Sequence, residues 1–400
     1  MVSASAVVIL AGCSSSGSHQ ATSASSTPVP LAVGCSTALA PAGRVLAAQK
    51  PVTTAVTGNP TAFVGTADGR WAFASLTAGS VTSTSSGEIA VMALGQGAPR
   101  LVRTVTLPTS LSHAAFGMAL TQNGLLLVAT YSATAVLSVR ALENGGRDPV
   151  LGVLRDAGSG QFEVAVSGDD RYVFVTDEIT GGLSVFDLAT ALQHGFSAPG
   201  VAVGIVPLAF GAVGVALSPD GARLYVTNYD HAALGGQIWV VDTARAEAGA
   251  GRAAVLAHAA AGCEPVRVAV SPNGRTVWVT AQESNALLGF SAAGLLSDPS
   301  RALRAVVRTG SEPTGLLLVD DGRLALVGNS NRYLTQEGTA PQTVSIISTT
   351  SALARQPALV GAVPAGLFPR DLSLDQAAGQ VLLANYDSGT VEEFAVPTAS

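Results

Sequence analysis

The chain is expected to fold as an all-β protein, a seven-bladed β-propeller of four-stranded antiparallel blades. Three observations predict this. One short phrase recurs seven times at intervals near 50 residues, the period of a repeat architecture. Each copy places a tight Asp/Asn-Gly turn between two short apolar strands, a strong hairpin signal. No copy sustains the 3.6-residue period of a long helix.

The copies are "TADGRWAFASL", "TQNGLLLVAT", "SGDDRYVFVTD", "SPDGARLYVTN", "SPNGRTVWVTA", "VDDGRLALVGN" and "LDQAAGQVLLAN". Aligned on the turn residue they place Gly69, Gly124, Asp170, Gly221, Gly274, Gly322 and Gly379, with steps of 55, 46, 51, 53, 48 and 57 residues. Around each turn the same four strands are read. The inner strand runs as in 266–270 and the second as in 276–280. The third follows a polar loop, as in 237–242, and the outer strand precedes the next copy, as in 303–308. The second strands ("LYVT", "VWVT", "YVFVT", "LALV") are almost continuously apolar. Strands covered on both faces read this way. Blades packed side by side in a closed ring supply that cover and leave only short edges.

The last copy provides strands near 371–374, 380–385 and 390–396 and lacks its outer strand. Residues 51–57, ahead of the first copy, match the outer strands in position. They are expected to complete blade seven, so that deleting residues 43–57 unfolds the whole ring. The expected layout is a leader at 1–12, a tether and N-terminal segment at 13–42, and the propeller at 43–400.

Composition sets the class. Hydrophobic residues are 48% and charged residues 12% of the 400, enough apolar material for a core and only about half the usual charged share. The net charge is −6 and no Lys/Arg cluster occurs, which argues against a nucleic-acid partner. The 44 glycines and 20 prolines suit many turns.

The N-terminus reads "MVSASAVVILAGCSSSGS". Its apolar run is too short to span a bilayer and has the length of a signal-peptide core. The tetrapeptide Leu10-Ala11-Gly12-Cys13 resembles the lipobox of bacterial lipoproteins. The resemblance implies lipidation at Cys13, attachment to a membrane through that lipid, and an extracytoplasmic place in a bacterial cell envelope. No Lys or Arg precedes the run, a departure that points to a translation start upstream of Met1. The stretch "SSSGSHQATSASSTPVP" that follows reads as a flexible tether. Cys35 and Cys263 remain; outside the cytoplasm they can bond to each other, the alternative being two buried thiols.

The phrase Tyr225-Val226-Thr227-Asn228 makes the chain resemble the YVTN-type β-propeller repeat proteins, an extracytoplasmic and surface-layer-associated group, over about residues 50–397. No Gly-His or Trp-Asp pair of the WD type occurs at blade spacing. Trp71, Trp239 and Trp278 fall on repeat strands and are assigned to packing.

Fold does not give function, but a propeller uses one face. The starts of the inner strands and the loops between second and third strands share it. Of the inner-strand starts, His113, Glu163, Arg267 and Arg370 are the catalytic candidates: Arg to hold a carboxylate, His or Glu to activate water. They fit a lactonase, since a related group resembling 6-phosphogluconolactonase shares the plan. The alternative is that they pair between blades and shape the funnel. Two loops read as long, 228–237 and 328–342, and long loops on a rigid scaffold are where binding usually lives. The binding candidates are Asn228, Asp230 and His231 in the first, and Asn331, Arg332, Tyr333, Gln336 and Glu337 in the second. No metal-ligand spacing, phosphate loop, nucleophile elbow or haem motif is present, so no cofactor is expected. The one exception is a divalent cation held in the channel by Asp177, Glu178, Asp230 and Asp387. The expected role is a monomeric, non-catalytic scaffold that binds a protein, peptide or glycan. The alternatives are an extracytoplasmic lactonase and envelope packing.

Overall fold

The computed structural model describes residues 31–36, 38–40, 50–77, 87–95, 97–111, 114–230, 235–332 and 342–398. The expected leader, with Cys13, therefore lies outside the described residues, as do His113, His231, Tyr333, Gln336 and Glu337. One compact unit spans Leu31–Ser400. It is a seven-bladed propeller of four-stranded antiparallel sheets.

Blade 1 comprises β2 (Asn59–Gly65), β3 (Trp71–Thr77), β4 (Glu88–Ala93) and β5 (Arg100–Thr106). Blade 2 comprises β6 (Ala115–Leu120), β7 (Leu125–Thr130), β8 (Ala133–Ser138) and β9 (Val150–Leu154). Blade 3 comprises β10 (Gln161–Val166), β11 (Tyr172–Asp177), β12 (Gly182–Asp187) and β13 (Ala202–Pro207). Blade 4 comprises β14 (Ala212–Leu217), β15 (Arg223–Asp230), β16 (Gly235–Asp242) and β17 (Val255–Ala260). Blade 5 comprises β18 (Pro265–Val270), β19 (Thr276–Ala281), β20 (Ala286–Ser291) and β21 (Leu303–Arg308). Blade 6 comprises β22 (Pro313–Val319), β23 (Leu324–Asn329), β24 (Thr343–Ser348) and β25 (Leu359–Pro364). Blade 7 comprises β26 (Pro369–Asp375), β27 (Gln380–Asn385), β28 (Thr390–Ala395) and, as its outer strand, β1 (Val52–Ala55).

The apolar second strands are buried along nearly their whole length because each blade covers its neighbour. Leu126 and Val128 of β7 pack with Phe73 of β3, and Val277 and Val279 of β19 pack with Tyr225 of β15. Each such side chain contributes on the order of 1.5–3 kcal/mol by leaving water. Trp278 is fully buried and Trp239 nearly so.

The repeated turn has a physical reason. In "SPDGAR" the Ser218 hydroxyl donates to Asp220 Oδ1 at 2.6 Å and accepts the Arg223 N–H at 2.9 Å. Asp220 Oδ1 also accepts the Ala222 N–H at 3.0 Å. Gly221 then adopts φ +70°, a conformation glycine enters at no steric cost. Blades 3 and 5 repeat the network with Ser167/Asp169 and Ser271/Asn273. In blade 3 Asp170 takes the left-handed position at φ 59°, which Asp tolerates better than most residues.

Every inner strand breaks register near its start: between Pro60 and Ala62, Ala115 and Met118, Gln161 and Val164, Ala212 and Gly214, Pro265 and Val268, Pro313 and Leu316, and Pro369 and Asp371. Bulges of this kind re-aim side chains. In blades 3, 4 and 5 a threonine of the second strand, the one in the YVTN phrase of blade 4, holds the bulge. Thr227 Oγ1 accepts the N–H of Gly214 in its own blade at 3.1 Å and donates to Val266 O in the next at 2.9 Å. Thr176 makes the same clamp between Glu163 N–H and Val213 O, and Thr280 between Arg267 N–H and Thr314 O.

Closure follows the expected route. β1 pairs with β28 in register Val52↔Glu393 to Ala55↔Thr390. Ahead of it, residues 31–36 and 38–40 run along blades 5 and 6: Ser36 N–H donates to Glu283 O and Ala40 N–H to Thr309 O. Cys35 and Cys263 form a disulfide there, with Cα atoms 5.2 Å apart.

One feature was not read from the sequence, and one expectation needs correction. Five short helices stand between third and outer strands: α1 (Val139–Glu143), α2 (Leu188–His194), α3 (Thr243–Glu247), α4 (Ala292–Ser297) and α5 (Thr349–Leu353). Each is capped by the last residue of the preceding strand, as where Asp187 accepts the Thr190 N–H at 2.8 Å. The stretch 228–237 is mostly not a loop. β15 and β16 extend along it, pairing Asn228↔Gln237, Tyr229↔Gly236 and Asp230↔Gly235.

Candidate functional site

A cavity of about 250 Å³ is touched by the inner strands of five blades, through Phe116, Phe162, Val213, Val266 and Arg370. A cavity bounded by five inner strands lies on the ring axis, at the mouth of the channel. All five residues stand at the bulged starts of their strands. The rest of the wall comes from Glu264 and from the ends of second strands and the loops after them: Glu178, Tyr229, Gln282, Arg332 and Tyr386. Inner-strand starts and second-to-third loops thus share one face. A larger hollow of about 490 Å³ lies among the opposite turns, around Thr66, Asp68 and Gln122. None of its lining residues carries a buried polar atom without a partner, so size does not select the site.

Two buried arginines stand at the mouth: Arg370 on the cavity wall, and Arg267 off the wall, over the Phe162 ring that lines it. Arg370 is 9% and Arg267 8% exposed. Arg370 is held by rings, its guanidinium carbon 5.2 Å from the centre of Tyr386, 5.5 Å from Phe162 and 5.9 Å from Phe368. Among the described residues it makes no hydrogen bond or ion pair, and its Nε has no partner. Burial, together with the charges of Arg267 and Arg332, pulls its pKa down to about 10, so it stays charged at pH 7. Arg267 lies over the same Phe162 ring at 5.7 Å and pairs with Glu163 at 3.2 Å, leaving its Nε and Nη1 without partners. Phe162 in turn stacks on Phe116 at 5.1 Å.

Glu163 sits under this platform. Burial pushes its carboxyl up to about 7, against the pull of Arg267 and with a further push from Asp371. The Asp371 carboxylate is raised by burial and accepts the Phe63 N–H at 3.1 Å. On the far wall the Tyr229 hydroxyl donates to Glu178.

Of the catalytic candidates, Glu163, Arg267 and Arg370 come together; the fourth, His113, is outside the described residues. Of the binding candidates, Arg332 lines the cavity. Asn228 does not face solvent: it is buried, its Oδ1 accepts the Trp239 indole N–H at 2.8 Å and its amide donates to Phe210 O. Asn331 is buried beside Arg332 at φ 48°. Asp230 pairs with Gly235 at the tip of its hairpin. The four carboxylates assigned to a channel cation do not assemble, since Asp177 is buried against Ser184 while Glu178 faces Tyr229. Among the described residues no three His, Cys, Asp or Glu side chains form a metal-ligand set. The rings around Arg370 were not read from the sequence. Their signal was aromatic residues beside each bulge, in Gln161-Phe162-Glu163 and Phe368-Pro369-Arg370.

No protein-family model matches the chain, and no curated protein matches it. Among solved structures, a chain of Kuenenia stuttgartiensis hydrazine synthase is similar in fold, with a TM-score of 0.66 and 15% identity, over 86% of this chain and 97% of that one. At that identity the likeness concerns the fold alone.

Proposed function

We propose that the protein is a ligand-binding propeller of the YVTN type, tethered outside the cytoplasm through lipid on Cys13. Its ligand is a small organic anion seated at the channel mouth. One observation carries this reading: Arg370 is a buried cation on the cavity wall with no hydrogen bond or ion pair to a described residue. A buried charge without a partner is costly, and such groups are retained where a ligand supplies the partner. A carboxylate meeting the edge of the guanidinium, with its body against Phe116 and Phe162, satisfies both the charge and the rings. About 250 Å³ admits a molecule of sugar-acid or benzoate size. The lipobox-like start and the Cys35–Cys263 disulfide support the extracytoplasmic setting.

A second reading, lactone hydrolysis, is favoured by Glu163, whose carboxyl near pH 7 suits a general base. Against it, Glu163 is not part of the cavity wall and its charge is engaged by Arg267. Thermal unfolding of residues 31–400 against sugar lactones, sugar acids, aromatic carboxylates and glycans tests the two. A saturable rise with acids and no lactone turnover supports binding. Lactone turnover abolished by Glu163→Gln supports the hydrolase. A flat response across the panel rejects the anion site.

A further inference from the structure

Blade 3 departs from its neighbours at one place. At the end of the second strand, blades 4, 6 and 7 carry Asn228, Asn329 and Asn385, all buried. In blade 6 the amide bridges two segments. Asn329 Oδ1 accepts the Gly310 N–H at 3.0 Å, and Nδ2 donates to the hydroxyls of Thr343 and Ser345 at 2.9 and 3.0 Å. Gly310 is needed there, because a Cβ on it would fall 2.6 Å from the amide carbon.

Blade 3 keeps the geometry and changes the chemistry. Asp177 stands where blade 6 has Asn329, and the Ser184 hydroxyl, in the place of Ser345, donates to Asp177 Oδ2 at 2.6 Å. Gly158 stands where Gly310 stands, and a Cβ on it would fall 2.6 Å from Asp177 Oδ1. Two more positions change with it. Asp156 replaces Arg308, and Gln161 replaces Pro313. Asp156 Oδ1 accepts the Gly158 N–H at 2.8 Å. Gln161 lies directly opposite Asp177 across β10 and β11, and its Oε1 accepts the Thr134 hydroxyl at 2.7 Å. Three polar atoms are then left over. Asp177 Oδ1, Asp156 Oδ2 and Gln161 Nε2 are buried without a hydrogen-bond partner in the chain. Asp177 is 0% and Gln161 1% exposed.

A repeat with a neutral solution at this position has here acquired two carboxylates, each with a buried oxygen that has no hydrogen-bond partner; burial first, and the Asp156 charge after it, raise the Asp177 carboxyl. Orphaned carboxylate oxygens in a buried place are satisfied by a cation between them. We propose that blade 3 holds a hard divalent cation of the Ca²⁺ class, ligated by Asp156 and Asp177, with the Ser184 hydroxyl and the Gln161 amide oxygen as neutral donors. An all-oxygen set with two negative charges is what Ca²⁺ prefers, water completing the shell. Gln161 joins it by turning its amide end for end, which lets Nε2 donate to Thr134. The site is distinct from the channel mouth and does not rest on the anion reading. It braces the end of β11, from which the next residue, Glu178, joins the mouth.

The test is thermal unfolding of residues 31–400, stripped with chelator and titrated with Ca²⁺, Mg²⁺ and Na⁺. Ca²⁺ is expected to raise the midpoint saturably, with close to one bound equivalent by elemental analysis, and Mg²⁺ to act more weakly. Asp177→Asn installs the side chain that three other blades use, so it should fold; it and Asp156→Asn are both expected to lose the Ca²⁺ response. No rise by about 10 mM Ca²⁺, well above the ~10⁻⁴ M dissociation constants of extracellular modules, overturns the proposal. So does a rise that persists unchanged in both variants.

Discussion

Arg267 of blade 5 meets Glu163 of blade 3 at 3.2 Å, passing over blade 4. The reach depends on glycines. At Gly214 of blade 4 a Cβ would fall 2.4 Å from Val266 O and 3.3 Å from the Arg267 Cα; at Gly117 of blade 2 it would fall 2.6 Å from Glu163 Oε1. The pair is therefore set by four blades at once. It sets how much net positive charge stands beside the cavity that Arg370 lines.

That pair makes anion binding pH-dependent. The folded-state pKa of Glu163 is raised by burial from 4.5 to about 7. Below pH 7 the carboxyl is neutral and the positive charge of Arg267 beside the cavity is uncompensated; above it the two are paired and cancel. Affinity for a carboxylate probe should fall as pH rises through about 7, and Glu163→Gln should flatten the profile. Stability follows the same sign: a raised acid pKa gives a contribution present below pH 4.5 that is lost as pH rises through about 7. Unfolding midpoints of wild type and Glu163→Gln should converge at low pH, with the variant the more stable above pH 7. A wild-type binding profile flat from pH 5 to 9 would count against the coupling.

Gly117→Ala should weaken the same probe without touching the arginines. The new methyl would lie 2.6 Å from Glu163 Oε1 and 2.7 Å from Phe162 O, so carboxylate and ring must both shift. Calorimetric titration at pH 6 checks this, and unchanged affinity in a folded variant refutes it.

Thr227→Val keeps the shape and removes the hydroxyl that joins Gly214 N–H to Val266 O. The buried Gly214 N–H loses its partner, at a cost of about 1–3 kcal/mol, and the half-buried Val266 carbonyl loses one as well. Urea unfolding should show a loss of at least that size. Thr53→Val, on the half-exposed outer strand, should show much less.

Ring closure is expected to be all-or-none. Deleting residues 43–57 removes β1 from blade 7 and should abolish cooperative unfolding. Breaking the Cys35–Cys263 bond, which spans 228 residues, should cost up to about 5 kcal/mol on the loop-entropy account. Unfolding with and without reductant measures it, and equal midpoints would show that the strap is held by packing alone.

The blades were legible because each carries its own turn chemistry: Ser218-Pro219-Asp220-Gly221 states where two strands reverse without reference to the rest of the chain. Closure was legible by elimination, since blade 7 lacked one strand and residues 51–57 lacked a partner. The short helices escaped because five to seven residues make too little of a period; their only signal is Ser or Asp at the strand end, as at Ser291 and Asp242. The stretch 228–237 read as a loop because of its glycines, yet Gly235 and Gly236 continue the ladder. Glu163, Arg267 and Arg370 could be assigned to one face by strand order. Their separation from Asn228, which turns inward to Trp239, depends on which way side chains leave a bulge, and no spacing states that.

Isothermal titration of benzoate and of a hexuronic acid into residues 31–400 at pH 6, for wild type and Arg370→Ala, decides whether Arg370 is the partner of an anion. Saturable binding of at least one of the two to wild type and none to the variant is expected. The variant should stay folded, since the loss of the ring contacts is offset by removal of an unpartnered buried cation. Equal binding to both proteins, or a variant that is markedly destabilised with no anion bound by wild type, would contradict that role and make Arg370 a structural residue of the ring.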